Sequence, residues 1–346
     1  MILKKLKKVF YWLLALLAIL ALIGISWSMI PIESGVGKPD PAVEFANLNS
    51  QSGAQLTESY FRYKKLDLHY IEAGKSNAET ILFVHGFPQF WYSFIHQIEG
   101  LSTNYRVIAI DGLGAGLSSA PNNIDSYKLA NMAEHIDALL KKLNVQKVHL
   151  VGHDWGGAMV FGFAQKYPGR VKSVIGISAP PQNLMLDLLL KSPSQQAASS
   201  YVEKLKGANP LLLKVLGAPK RLWKNLYLPL VENGNLSLEQ GLLMLNATGN
   251  VKRFNAHINW YRANLPEVGE IQDSDYWPSR SATLNVPAML IWGTEDRVFD
   301  VQFIDKLNES AKQLTVLKMD GVGHSPHLEQ AEKVTTAIGR FVKENS

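Results

Sequence analysis

The run Gly152-His153-Asp154-Trp155-Gly156-Gly157 constrains this chain more than any other stretch. It follows Val148-His149-Leu150-Val151, an apolar run that reads as a buried strand. It precedes Ala158-Met159-Val160-Phe161-Gly162-Phe163-Ala164, which reads as a buried helix. A strand and a helix joined by so short a glycine-flanked turn leave one residue projecting at the strand's end, as in a G-x-S-x-G elbow. Here that residue is Asp154 rather than serine. A serine alkoxide attacks acyl carbon, whereas a carboxylate suits strained or activated sp3 carbon and leaves an alkyl ester on the protein. Taken alone, the segment also fits a plain glycine-rich turn in which Asp154 caps a helix.

The rest of the chain narrows the choice. Two alternating segments, Gln55–Tyr63 and Leu66–Glu72, predict an antiparallel start to a sheet. Strands at Thr80–Val84, Arg106–Ile110, Lys147–Val151 and Val171–Ser178 then alternate with helices at Trp91–Leu101, Tyr127–Leu143 and Ala158–Tyr167. Such alternation predicts a mostly parallel sheet with helices on both faces. After Pro180-Pro181 the chain is helical in character until Pro287–Trp292, a strand. A helix near Val301–Ser310, a strand at Leu314–Met319 and a closing helix from Pro326 to Glu344 follow. An insertion between two strands of one sheet lies over their carboxyl ends, where open α/β sheets place ligands. The expected layout is a core in two parts, 54–180 and 282–346, interrupted by a helical cap over 181–281.

A 346-residue chain with 47% hydrophobic and 19% charged residues has the composition of an ordinary globular enzyme. Its net charge of +5 is concentrated at Lys4, Lys5, Lys7 and Lys8, and the remainder is close to neutral, which argues against a nucleic-acid partner. The absence of cysteine excludes disulfides, thiol catalysis and thiolate metal sites. After the lysines, Val9 to Ile30 is apolar and at ~1.5 Å per residue extends about 33 Å, enough for a ~30 Å hydrocarbon core. Residues 1–30 therefore predict a single-pass anchor with a cytoplasmic N-terminus and the enzyme domain on the other side; residues 31–53 read as a linker. The alternative is a cleaved signal with Ser26 and Ser28 near the cut, giving a secreted or periplasmic protein.

A carboxylate nucleophile needs a base and an acid to orient it. Asp296 lies just past the strand Pro287–Trp292, and His324 just past Leu314–Met319. They follow Asp154 in the order acid, then histidine. Glu295 and Asp300 compete with Asp296, and His327 competes with His324. His85-Gly86-Phe87-Pro88 follows the strand Thr80–Val84, so the backbone N–H groups of Phe87 and Trp155 are candidates for an oxyanion hole.

These segments, with Asp111-Gly112-Leu113-Gly114-Ala115-Gly116-Leu117-Ser118, resemble the epoxide hydrolase branch of the α/β-hydrolase superfamily over roughly residues 55–346. The resemblance implies an α/β-hydrolase fold and hydrolysis of a small apolar epoxide to a vicinal diol. Asp154 would form the alkyl ester, and water activated by His324 and Asp296 would release it. Family members place two cap tyrosines over the nucleophile. Asn259-Trp260-Tyr261-Arg262 is similar to the segment carrying one, and Ala198-Ser199-Ser200-Tyr201-Val202 resembles the other less closely; Tyr227 and Tyr276 are the competitors. Trp91 is expected to line the substrate pocket. No metal or cofactor is implied, for the chain carries no H-E-x-x-H, cysteine cluster or Walker loop. Two further readings remain. Haloalkane dehalogenases share Asp-Trp-Gly, but their second halide donor, an asparagine after His-Gly, is Phe87 here. A catalytically silent ligand-binding protein on this fold would lack a triad member, and this chain has a candidate for each.

Overall fold

The computed structural model describes residues 2–29, 45, 48–49, 52–209, 218–249 and 251–346. Its centre is an eight-stranded sheet: β1 (Leu56–Tyr63), β2 (Leu66–Ala73), β3 (Thr80–Val84), β4 (Arg106–Ile110), β5 (Val148–His153), β6 (Val171–Ile177), β7 (Ala288–Gly293) and β8 (Leu314–Met319). The spatial order is β1-β2-β4-β3-β5-β6-β7-β8. β1 and β2 pair antiparallel, as do β2 and β4, and every other pairing is parallel. β3, β5 and β7 are buried along their whole length, as apolar runs covered on both faces must be. Alternate side chains feed two cores: Leu82, Val84, Ile108 and Leu150 on one face, and Ile81, Phe83, Val107 and Val151 on the other.

Between β6 and β7 the described residues form helices and no strand: Gln182–Lys191, Pro193–Ala198, Tyr201–Lys206, Ala218–Leu222, Leu228–Glu232, Leu238–Gly249 and Val251–Asn264. The described residues of this insertion form no separate core. Met185, Leu186, Val202, Trp260, Tyr261 and Leu265 join the cluster that holds Leu150 and Trp155. Trp223, Tyr227, Leu230 and Met244 join the cluster that holds Ile81 and Phe83. Polar ties reinforce the seat. The Trp260 indole donates to Leu113 O at 2.7 Å, and Asn264 Oδ1 accepts from Leu129 N at 2.8 Å, capping the helix Leu129–Lys142 of the core.

Three expectations are refined by packing. The helix expected from Trp91 begins as a 3-10 turn, Trp91–Phe94, before Ile95–Leu101. The elbow helix starts at Trp155 rather than Ala158. The closing helix breaks at Gln330 (φ −137°, ψ 55°). Pro326–Glu329 thereby follows the histidine loop, while Ala331–Glu344 turns Val334, Ile338 and Phe341 into the core. Of the expected linker, Phe45 and Leu48 pack against the second core.

The N-terminal helix spans Ile2–Met29. Among the described residues no helix is long and apolar enough to cross a membrane, so the expected single-pass anchor is not supported. The side chains described here run from Lys5 to Leu22 and include Lys5, Lys7 and Lys8. The rest of the run expected to span the membrane lies outside the described side chains.

Candidate active site

Asp154 stands at the end of β5 with φ 52° and ψ −121°, a left-handed backbone that a non-glycine residue adopts only under strain. Its neighbours explain how the turn closes. A Cβ on Gly156 would run into the carbonyl oxygen of Val84, and one on Gly86 would lie 2.5 Å from Asp154 Cβ. Two glycines therefore let the β3 loop and the elbow touch. In that contact Phe87 N–H donates to Asp154 Oδ1 at 2.8 Å. The amide of Trp155, the other expected donor, makes no hydrogen bond to the carboxylate here.

On the other side, His324 Nε2 lies 3.5 Å from Asp154 Oδ2, and His324 Nδ1 is 2.9 Å from Asp296 Oδ2. Asp296 Oδ1 accepts from Val298 N at 2.8 Å and Phe299 N at 3.3 Å, so the acid is oriented by its own loop. Burial alone would depress the imidazole, but the carboxylates of Asp296 and Asp154 override it and raise His324 to about 10. Burial likewise would raise Asp154, yet hydrogen bonding to and the charge of His324 bring it below the ordinary carboxylate range.

Tyr261, 4% exposed on the helix Val251–Asn264, and Tyr201, 37% exposed at the start of its helix, face each other with ring centroids 6.3 Å apart. The Tyr261 hydroxyl faces the Tyr201 hydroxyl and the Trp155 side chain, both near enough to influence it. Its ring meets those of Trp155 and Phe87 edge-on, each at 5.1 Å. Burial, followed by the negative charge of Asp154, pushes Tyr201 up; burial, then Tyr201 and Asp154, pushes Tyr261 up as well. Both phenols therefore hold their protons over the whole working pH range. Asp154, Trp155, Tyr201 and Tyr261 share one apolar cavity, with Met185, Leu265, Val298 and Phe299 among its walls.

A sequence model of the alpha/beta hydrolase fold matches residues 79–331. This chain is an α/β-hydrolase. It is 30% identical to epoxide hydrolase 1 of Caenorhabditis elegans, covering 82% of this chain and 69% of that protein. It is 29% identical to epoxide hydrolase 4 of Mus musculus, covering 84% of this chain and 80% of that protein. A crystal structure of Bacillus megaterium epoxide hydrolase with an inhibitor superposes with a TM-score of 0.74 at 26% identity, over 82% of this chain and all of that one. The hydrolase belongs to the epoxide hydrolase branch of its family.

Within the hydrolase, the competing residues fall elsewhere. Glu295 is exposed, and Asp300 bonds Ser194 and Gln302. His327 is buried between Phe94 and His153 with neither ring nitrogen bonded. Tyr227 donates to Pro88 O at 3.3 Å, and Tyr276 to Asp187 Oδ1 at 2.8 Å. Trp91 corrects an expectation: it does not line the cavity. Its amide donates to Asp111 Oδ1 at 2.9 Å and its ring packs on Phe90 and Tyr92 in the second core. Sequence reasoning passed over Met185, Val298 and Phe299 in the walls, and His153, whose Nε2 donates to His324 O at 2.8 Å. His153 sits inside the elbow motif, which was its only signal.

Proposed function

We propose that this hydrolase opens epoxides through a covalent ester on Asp154. One observation carries the reading: a buried carboxylate, held by an N–H on one oxygen and a histidine on the other, shares an apolar cavity with two protonated phenols. Oδ1 is engaged by Phe87, which leaves Oδ2 to attack an epoxide carbon. As the C–O bond breaks, Tyr261 and Tyr201 donate to the ring oxygen and one phenol gives it a proton. Water then attacks the ester carbonyl carbon, and His324 Nε2 takes its proton while Asp296 stabilises the imidazolium. Negative charge develops on Oδ1 beside Phe87 N–H. Collapse breaks the ester, releases the diol and restores Asp154, and His324 is left protonated as in the resting state.

The charges support this order of events. Two carboxylates keep His324 protonated in the resting state. Alkylation neutralises one of them, so the imidazole loses part of its stabilisation, passes its proton to the phenolate left by alkylation and becomes the base for water. The helical insertion acts as a cap that keeps bulk water from the cavity. Carbon–halogen cleavage has less support, because Phe87 offers no side-chain donor for a halide. The test is multiple turnover of styrene oxide in 18O water followed by peptide mass spectrometry. The label should enter the Asp154 peptide; label in the diol alone would overturn the covalent route.

The N-terminal helix supports a reading about location. Its large apolar side chains from Leu6 to Leu22 are 46–70% exposed and follow a lysine cluster, a pattern suited to a lipid surface. Full-length protein should float with anionic liposomes and a version lacking residues 1–30 should not; equal flotation would refute the reading.

A further inference from the structure

The loop carrying His324 is held from behind by a residue that the chemistry above does not use. Glu329 Oε2 accepts from Gly323 N at 2.8 Å, and Glu329 Oε1 accepts from Ser325 N at 2.9 Å. One carboxylate thus ties the amides on either side of His324. A Cβ on Gly323 would come within 3.1 Å of Oε1, so the residue at 323 is small where the carboxylate approaches. The main chain of Glu329 is itself fixed. Its N–H donates to Ser325 O at 2.9 Å, and Asn235 of the insertion donates to its carbonyl at 2.9 Å. This arrangement also explains the break at Gln330, which lets the short helix Pro326–Glu329 turn back under the loop.

We propose that Glu329 is a positioning residue for ester hydrolysis. It sets the backbone from which His324 Nε2 reaches toward Asp154, while Asp296 orients the other ring nitrogen. Hydrogen bonds to a carboxylate are stronger than neutral ones, and two of them to the amides flanking His324 fix both position and tilt. A misplacement of about 1 Å costs on the order of 10²-fold in a positioned reaction. Attack by Asp154 needs no base, so the clamp acts on the second half-reaction alone. The proposal rests on the ester mechanism proposed above.

The test compares Glu329→Gln, Glu329→Asp and His324→Gln in the full chain with styrene oxide, using rapid quench and intact-protein mass spectrometry. Gln replaces one acceptor oxygen with an NH2 that cannot accept from an amide. Asp keeps the carboxylate but is one methylene too short to reach both amides. Both Glu329 variants should accumulate the Asp154 ester and lose roughly tenfold or more in kcat, with kcat/KM, which reports alkylation, changed by less than about twofold. Rates are referred to the fraction of Asp154 that can be alkylated, so partial unfolding does not imitate the effect; if the Gln variant fails to fold, the Asp variant is read by the same ratio. Equal losses in kcat and kcat/KM without ester would mean a merely structural role and overturn the proposal. Ester in His324→Gln but in neither Glu329 variant would also overturn it while leaving the mechanism intact. No ester in any variant would remove the mechanism and the proposal together.

Discussion

The two halves of this site are built by different means. Asp154, Phe87, Asp296 and His324 all lie within a few residues of the ends of β5, β3, β7 and β8, where backbone pairing such as Val84 with Gly152 sets their spacing. Tyr201 and Tyr261 stand on two helices of the insertion, placed by side-chain packing and a few ties such as Trp260 to Leu113. The sheet supplies the groups required by any ester-forming hydrolysis at Asp154. On the proposed mechanism, the insertion supplies those that distinguish an epoxide oxygen from another leaving group.

The sharpest break between the halves is His324→Gln. It should leave alkylation nearly intact and slow ester hydrolysis by roughly 10²- to 10⁴-fold, the usual contribution of a general base. Trapped ester measured against time checks this; slowed alkylation would blur the division. Tyr261→Phe should do the reverse, losing about 2.7–4 kcal/mol from alkylation, as for one oxyanion donor, with hydrolysis unchanged. Tyr201→Phe should lose less, since Tyr201 is the more exposed of the pair. Pre-steady-state alkylation rates decide the order, and a larger loss at Tyr201 would make it the principal donor. The smallest effect concerns pH and stability. His324 is raised above its unfolded value, so its contribution is fully present below about pH 6.5 and is lost as pH rises toward about 10. Thermal midpoints of the unaltered protein should fall over that window more steeply than those of His324→Gln; parallel curves would mean that His324 is not held between charges.

Legibility follows the same division. The elbow is readable because Gly156 and Gly86 are demanded by backbone approach, and Asp296 and His324 because strand ends can be located from apolar runs. Tyr261 is marked by the neighbours that seat it, Trp260 on Leu113 and Arg262 on Lys206 O at 2.8 Å. Tyr201 lies in a short helix whose pattern is indistinct. The cavity walls are illegible because Met185, Leu265 and Phe299 come from separate segments with no shared local pattern. Trp91 misleads for a related reason: an aromatic beside the site in sequence can still point into the opposite core.

The absence of a private core in the insertion has an evolutionary consequence. A module that buries its apolar residues within itself can be traded between lineages as a cassette. Here the described helices of the insertion share their apolar residues with the two cores of the sheet. New substrate preferences in this lineage must then arise by paired substitutions across that seam, and a transplanted insertion would need its matching floor to come with it.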